Sequence, residues 1–200
     1  DIRQCLVALS TTPRVRDLFN YRFDDGGMKG HAFGNLFMAA LEKMTGSFAD
    51  AVETASEVLS VRGRVEPITL DDVKMVVKLD DGTVVNGQHN AESLKIPEGQ
   101  RPWLDLEPEA NINPRAQKAI AEADLVVIAP GLLYGSLAPA LLVKGVTRAL
   151  AESKAKKIYV CNLVTKPGQN DGYSVADFAE EIERFSGVPL DYVLYNNHRP

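Results

Sequence analysis

Apolar residues recur at helical spacing along the first sixty positions. Ile2, Cys5, Leu6 and Leu9 form one stripe, with Asp1 placed as its helix-capping residue. Pro13 lies beyond it, and Val15, Leu18 and Phe19 predict a further turn or two. A polar loop follows at Asp24-Asp25-Gly26-Gly27. The run from His31 to Met44 then sets Phe33, Leu36, Phe37, Ala40, Leu41 and Met44 on one helix face. Gly46 ends that helix, because glycine takes the left-handed conformation that closes helices. Ser47 caps the next, which carries Phe48, Ala51, Val52, Ala55, Val58 and Leu59. Asp50, three residues after the cap, resembles a capping box with Asp in place of Glu.

The period changes after Gly63. Val65-Glu66-Pro67-Ile68 reads as a short strand. Val73 to Leu79 and Thr83 to Val85 flank Asp80-Asp81-Gly82, which predicts a hairpin closed by the glycine. Within the Asn-, Glu-, Pro- and Gly-rich stretch 86–113, only Trp103-Leu104-Asp105-Leu106 reads as strand. From Pro114 the pattern is clearest. A helix runs to about Glu122, and Asp124 to Ala129 is a continuous apolar strand. Pro130 to Ser136 forms a loop, and a helix spans about Leu141 to Ser153. Lys157 to Cys161 is a second buried strand, a loop runs from Thr165 to Tyr173, and Ser174 with Asp177 opens a helix to Ser186. Asp191 to Tyr195 is the last strand. Apolar strands alternating with helices predict an α/β fold with a parallel, doubly wound sheet.

Composition narrows the function classes. Hydrophobic residues are 45% and charged residues 24% of the 200, which excludes a disordered or fibrous chain. The 27 acidic residues outnumber the 22 basic ones, giving a net charge of −5. That balance argues against nucleic acid as a partner, and it leaves room for a local anion site. No apolar run reaches the length of a membrane span. The two cysteines, Cys5 and Cys161, stand far apart in apolar segments and read as buried thiols, with no disulfide framework or zinc site. The chain opens Asp1-Ile2-Arg3 without an initiator Met and closes Asn197-His198-Arg199-Pro200 directly after a strand, so both ends read as cut.

Ligands of open parallel sheets bind beyond the carboxyl ends of the strands. Two segments fall there. Pro130 to Ser136 combines Gly131 and Gly135, for close backbone approach, with a helix N-terminus and the Ser136 hydroxyl, which suits a phosphate. Asn162 to Tyr173 holds Asn162, Thr165, Lys166, Gly168, Asn170, Asp171 and Tyr173, which suits a sugar or a base edge. Each reads equally as a connecting loop with turn residues. No Walker loop and no GxGxxG are present. Asp80-Asp81-Gly82 reads as a turn, Asp24-Asp25 as a solvated loop and His31 as structural, while His89 and His198 stand alone in irregular stretches. Arg62-Gly63-Arg64 could meet a phosphate, or be a solvated or internally paired basic pair. No metal set and no nucleophile–base constellation can be assembled, so the catalytic residues are unknown and the metal site none.

Several segments nonetheless carry a family resemblance. Asp1 to Leu9 resembles a DIRNCLVAL segment, and Gly30-His31-Ala32-Phe33-Gly34-Asn35-Leu36 a GHSLGNL helix start. Val61 to Val65 with Pro67 and Thr69 resembles VRGRVLPAT, and Ala123 to Ser136 resembles ADLIVLGPGSLYTS. Tyr159 to Leu163, with Thr165, Pro167-Gly168, Asp171-Gly172-Tyr173 and Val175 to Asp177, resembles YVCNLMTQPGETDGFTVAD. These are motifs of the CofD-like family in its bacterial gluconeogenesis-factor branch, and they run in the family's order through nearly all 200 residues.

The resemblance implies a Rossmann-like domain over residues 1–200, truncated at both ends, with 65–113 as a hairpin-containing insertion. It implies a cytoplasmic, phosphate-bearing-ligand binder. In this branch the ligand is UDP-N-acetylglucosamine, and the role is in cell shape and peptidoglycan synthesis during gluconeogenic growth. The other branch holds 2-phospho-L-lactate transferase, a metal-dependent enzyme of deazaflavin biosynthesis, so a transferase using Mg²⁺ is the alternative, with Asp1 a candidate ligand of the ion. A third reading is a dinucleotide (NAD-type) binder using the same crevice. By motif position the resemblance carries Asp1, Asn35, Gly131, Tyr134, Ser136, Asn162 and Thr165 over as ligand-binding candidates, with Asp171 and Tyr173 as further ones. Leu132 and Gly135 stand where the family's loop has Ser and Thr, so that loop loses two hydroxyl donors. The family's glycine-rich phosphate loop, the Asp-Asp-Gly-Gly segment after it and a closing Arg-His-Asp-Thr motif are expected outside these 200 residues. A homodimer is compatible with all three readings.

Overall fold

The computed structural model describes residues 2–198, apart from the side chain of His89; Asp1, Arg199 and Pro200 lie outside the described residues. The chain divides into two units, Asp1–Leu70 and Asp71–Pro200.

The first unit is helical: α1 (Ile2–Leu9), α2 (Pro13–Asn20), α3 (Phe33–Thr45) and α4 (Phe48–Val58). These helices meet in a core of Leu6, Phe19, Ala51, Val52, Ala55 and Leu59, but Cys5, expected to be a buried thiol, is exposed on α1, as is Leu9. Phe19 packs edge-on against Phe37 and Phe33, with centroids 4.9 and 5.9 Å away. A methyl at Gly34 would stand 2.8 Å from the Phe19 carbonyl oxygen, so α3 can approach α2 only through a glycine there. Gly46 closes α3 at φ +73°, and the Ser47 hydroxyl accepts the Asp50 N–H at 3.3 Å, as the sequence predicts. The strand expected at Val65–Ile68 is irregular chain instead. Pro67 has no N–H to give a ladder, and the pairing formed nearby is one bridge between Ser10 and Val61.

The second unit holds two sheets. The predicted hairpin is β1 (Lys74–Lys78) with β2 (Val84–Asn86), and Lys78 stands opposite Val84. Gly82 takes φ +87° in the turn, where the Asp81 carboxylate accepts the Thr83 N–H at 2.8 Å. After the short helix α5 (Gln88–Glu92), which the sequence reading leaves unassigned, β3 (Trp103–Glu107) pairs antiparallel with the other edge of β1. Leu104 and Leu106 point inward and their neighbours outward, the alternation of a sheet with one wet face.

Helix α6 (Pro114–Ala121) leads into a parallel sheet of β4 (Leu125–Ile128), β5 (Lys156–Val160) and β6 (Tyr192–Leu194). The order β4-β5-β6 advances one way, with Val127 beside Ile158 and Ile158 beside Tyr192. This is the Rossmann-like α/β arrangement that the alternating pattern predicts. The strands are less buried than their apolar sequences suggest: Leu125, Val127, Tyr192 and Leu194 are each about half exposed.

Two corrections concern the β4–β5 connection. The expected loop at 130–136 is already helical from Leu133, as a π-type turn over Leu133–Leu137 that continues into α7 (Ala138–Leu142). The Leu132 carbonyl receives both the Ser136 and the Leu137 N–H groups, at 2.8 and 3.0 Å, which widens the turn. The single helix expected over Leu141–Ser153 is interrupted. Gly145 takes φ +98°, Lys144 bonds the backbones of Ala110 and Ile112, and α8 (Val146–Glu152) starts afresh. Helix α9 (Val175–Ser186) opens on a complete Ser174–Asp177 capping box and closes on Gly187.

Candidate functional site

The carboxyl ends of β5 and β6 open into a cavity of about 420 Å³, within the roughly 300–1,000 Å³ usual for small-molecule sites. Backbone pairing carries the two chains side by side to its edge, since the Cys161 N–H donates to the Leu194 carbonyl at 2.8 Å. Cys161, Asn162 and Thr165 line it from the β5 side, Tyr195, Asn196 and His198 from the β6 side. Tyr173, Val175 and Phe178 complete the wall, and Leu163 and Val164 stand exposed at its lip. Burial pushes the Cys161 thiol pKa up, so it stays protonated.

Asn162 holds the two strand-end segments together. Its Nδ2 donates to the Gly131 carbonyl at 2.7 Å, and its Oδ1 accepts the Gly131 N–H at 3.3 Å. The Tyr159 hydroxyl donates to the same oxygen at 3.3 Å. Tyr159 is wholly buried, and that burial pushes its pKa up to about 12. The segment 165–173 is braced from within. The Asn170 carboxamide oxygen accepts the Lys166 N–H and Asp171 accepts the Gly168 N–H, both at 2.5 Å. Buried Gln169 donates to the Ala91 carbonyl at 2.8 Å, and the Ile96 N–H donates to the Gly168 carbonyl at 2.7 Å.

Behind the cavity wall lies a buried polar cluster. The hydroxyls of Tyr134 and Tyr173 are 2.8 Å apart, and Tyr134 also donates to Glu181 at 3.0 Å. Glu181 is fully buried, yet saturated with donors. Arg184 grips both its oxygens at 2.9 and 2.6 Å, and Arg101 approaches at 3.4 Å. Arg101 is paired with Glu180 and Asp177 as well. Burial first, then the Tyr173 hydrogen bond and the Glu181 charge, raise the Tyr134 pKa far above that of a free phenol.

Of the sequence candidates, the structure brings Asn162, Thr165 and Tyr173 to one cavity. Gly131 and Tyr134 attach to it indirectly, through Asn162 and Tyr173. Neither Gly131 nor Gly135 uses a left-handed φ. Ser136 is exposed on the π-type turn, its N–H already given to Leu132. Asp171 is committed to the Gly168 N–H. Asn35 sits exposed in the first turn of α3, in the other unit, and Asp1 falls outside the described residues. Sequence reasoning passes over Phe178, Tyr195, Asn196 and Glu181, and assigns His198 no role. Tyr195 and Asn196 follow a strand directly, the signal that singles out Asn162. Glu181 lies on the Phe178–Ile182–Phe185 stripe of α9, so helical phase alone marks it as buried. Among the described residues no three His, Cys, Asp or Glu side chains converge as a metal site. Nor, among the described residues, is any helix long and apolar enough to cross a membrane.

Comparison with known proteins places this geometry in a family. The family model described as 2-phospho-L-lactate transferase CofD matches residues 1–200. The gluconeogenesis factor of Bacillus subtilis is 41% identical over 204 residues, covering 98% of this chain and 62% of its own. A Clostridium acetobutylicum relative is 44% identical, over 98% of this chain and 45% of its own. The crystal structure of a UPF0052-family protein from Bacillus halodurans superposes with a TM-score of 0.92 at 36% identity, covering all of this chain and 64% of that one. The chain thus spans less than two thirds of the length of these relatives. With the family model matched from end to end and the α/β fold shared with a solved relative, the chain belongs to the CofD family.

Proposed function

We propose that these residues are the ligand-binding core of a nucleotide-sugar-binding regulator, with UDP-N-acetylglucosamine as the ligand. The whole protein would then serve cell-wall synthesis and cell shape during growth on gluconeogenic carbon sources, acting from the cytoplasm. The observation that carries the reading is the cavity at the carboxyl ends of β5 and β6, where parallel sheets take their ligands. Its Asn, Thr and Tyr lining suits a hydroxylated, amide-bearing molecule. Kinship with proteins named gluconeogenesis factors supports the biological setting. Thermal unfolding of the full-length protein tests it. UDP-N-acetylglucosamine should raise the midpoint in a concentration-dependent way, because a ligand that binds only the folded state stabilises it by mass action. An unmoved midpoint at millimolar ligand rejects the reading.

A second reading is a phospholactyl-type transferase, favoured by the description of the matching family. Incubation of the full-length protein with the deazaflavin precursor, its activated lactyl-phosphate donor and Mg²⁺ should then yield product. No product rejects it.

A further inference from the structure

We infer that the β5–β6 cavity holds an uncharged, hydroxyl- or amide-bearing ring of the ligand, either its base or its sugar, and that the phosphates lie outside it. This rests on the binding reading above and specifies which part of the ligand enters.

Charge is the first argument. Among the described residues that line the cavity there is no lysine or arginine, and His198 is the one side chain able to carry positive charge. A diphosphate seated there would lose its hydration with little countercharge in return, which is costly. The nearby guanidiniums offer no relief. Arg184 is taken up by Glu181, and Arg101 by Asp177, Glu180 and Glu181.

Proton accounting is the second. Both oxygens of Glu181 receive guanidinium N–H groups from Arg184, with Arg101 alongside, so Glu181 acts here as an acceptor. Tyr134 has one hydroxyl proton and gives it to Glu181. The 2.8 Å contact between the tyrosines is therefore a donation from Tyr173 to Tyr134. With its own proton directed there, the Tyr173 oxygen can only accept from a ligand. A phosphate oxygen beside it would be repelled, whereas a ring O–H or N–H would be bound. The Asn162 oxygen is filled by the Gly131 N–H and the Tyr159 hydroxyl and one Nδ2 proton goes to the Gly131 carbonyl, so Asn162 offers at most one neutral N–H. The Asn196 oxygen accepts the His198 backbone N–H at 3.0 Å, which leaves its Nδ2 and the Thr165 hydroxyl as neutral donors for a ring carbonyl or hydroxyl.

Ring shape is the third. Tyr173 and Phe178 pack edge-to-face with centroids 5.6 Å apart and form an aromatic wall, and Tyr195 adds a further ring. Such surfaces favour the flat or apolar faces of bases and sugars.

The test uses the full-length protein and three probes, uridine, N-acetylglucosamine and inorganic pyrophosphate, each titrated separately. Two variants are compared with the parent: Thr165→Trp, which fills the cavity from a loop position, and Tyr173→Phe, which keeps the ring and removes the acceptor. Thr165→Trp should abolish binding of uridine or of N-acetylglucosamine, and whichever is lost identifies the ring. Pyrophosphate affinity should stay within about twofold, and Tyr173→Phe should weaken the same uncharged probe about tenfold. Loss of pyrophosphate binding in Thr165→Trp at an unchanged unfolding midpoint overturns the inference. So does a parent protein that binds neither uncharged probe, or variants that bind both as the parent does. Failure of UDP-N-acetylglucosamine alone, with a Thr165-dependent uncharged probe, overturns only the function proposed above.

Discussion

The carboxamide of Asn162 gives one donor and one acceptor to the backbone of Gly131, 31 residues earlier in the chain. Asn162→Ala leaves both groups without that partner, which predicts a loss of about 1–3 kcal/mol, measurable by urea unfolding; an unchanged midpoint contradicts the assignment. Glu181→Ala removes the carboxylate partner of Arg184 and an acceptor of Tyr134 and should cost about 3–5 kcal/mol, the larger loss of the two by the same measurement. The tyrosines give a pH signature. Tyr159 has its pKa raised to about 12 and Tyr134 higher still, against about 10 in an unfolded chain. The folded state keeps protons that the unfolded state releases, so stability falls as pH rises through and above 10. Phenolate absorbance should thus show Tyr134 and Tyr159 ionising only on unfolding. Ionisation of all six tyrosines with the fold still intact would contradict it. Position after a strand was enough to single out Asn162 and Thr165 from sequence. Which of their polar atoms are already bonded was not legible, because that depends on Gly131, a partner distant in sequence.

At the level of elements, caps and periodicity were the readable part. Ser174 and Asp177 stand at capping-box spacing, and the box forms. Ser174→Ala should cost about 0.5–2 kcal/mol, read as a lowered unfolding midpoint; no change would mean the cap is dispensable. The break between α7 and α8 was only partly readable: Gly145 is a local helix breaker, whereas the pairing of Lys144 with Ala110 and Ile112 that accompanies the break is not local. At Gly145 a methyl would meet both a φ of +98° and the Ile112 Cγ2 at 2.7 Å. Gly145→Ala should therefore destabilise by more than about 1 kcal/mol, whereas Gly82→Ala, with open space around it, carries only the cost of its φ of +87°. Equal losses at the two sites would remove the Ile112 clash from the explanation. The strand expected at Val65–Ile68 shows the limit of a four-residue pattern: interrupted by Pro67 and without a partner strand, it remains irregular.

For the whole molecule, alternation of apolar strands and helices made the α/β class legible, and the motif order made the family legible. Leu125, Val127, Tyr192 and Leu194 are half-exposed within these 200 residues, which span less than two thirds of the relatives' length. The central claim is that a protein with an acidic surface excess binds a nucleotide sugar through one mostly neutral cavity. Titration calorimetry of the full-length protein with UDP-N-acetylglucosamine tests it most directly. The account predicts saturable heat at one site per chain, weakened about tenfold or more by Thr165→Trp. No heat at millimolar ligand, or binding that ignores the Thr165 substitution, would contradict it.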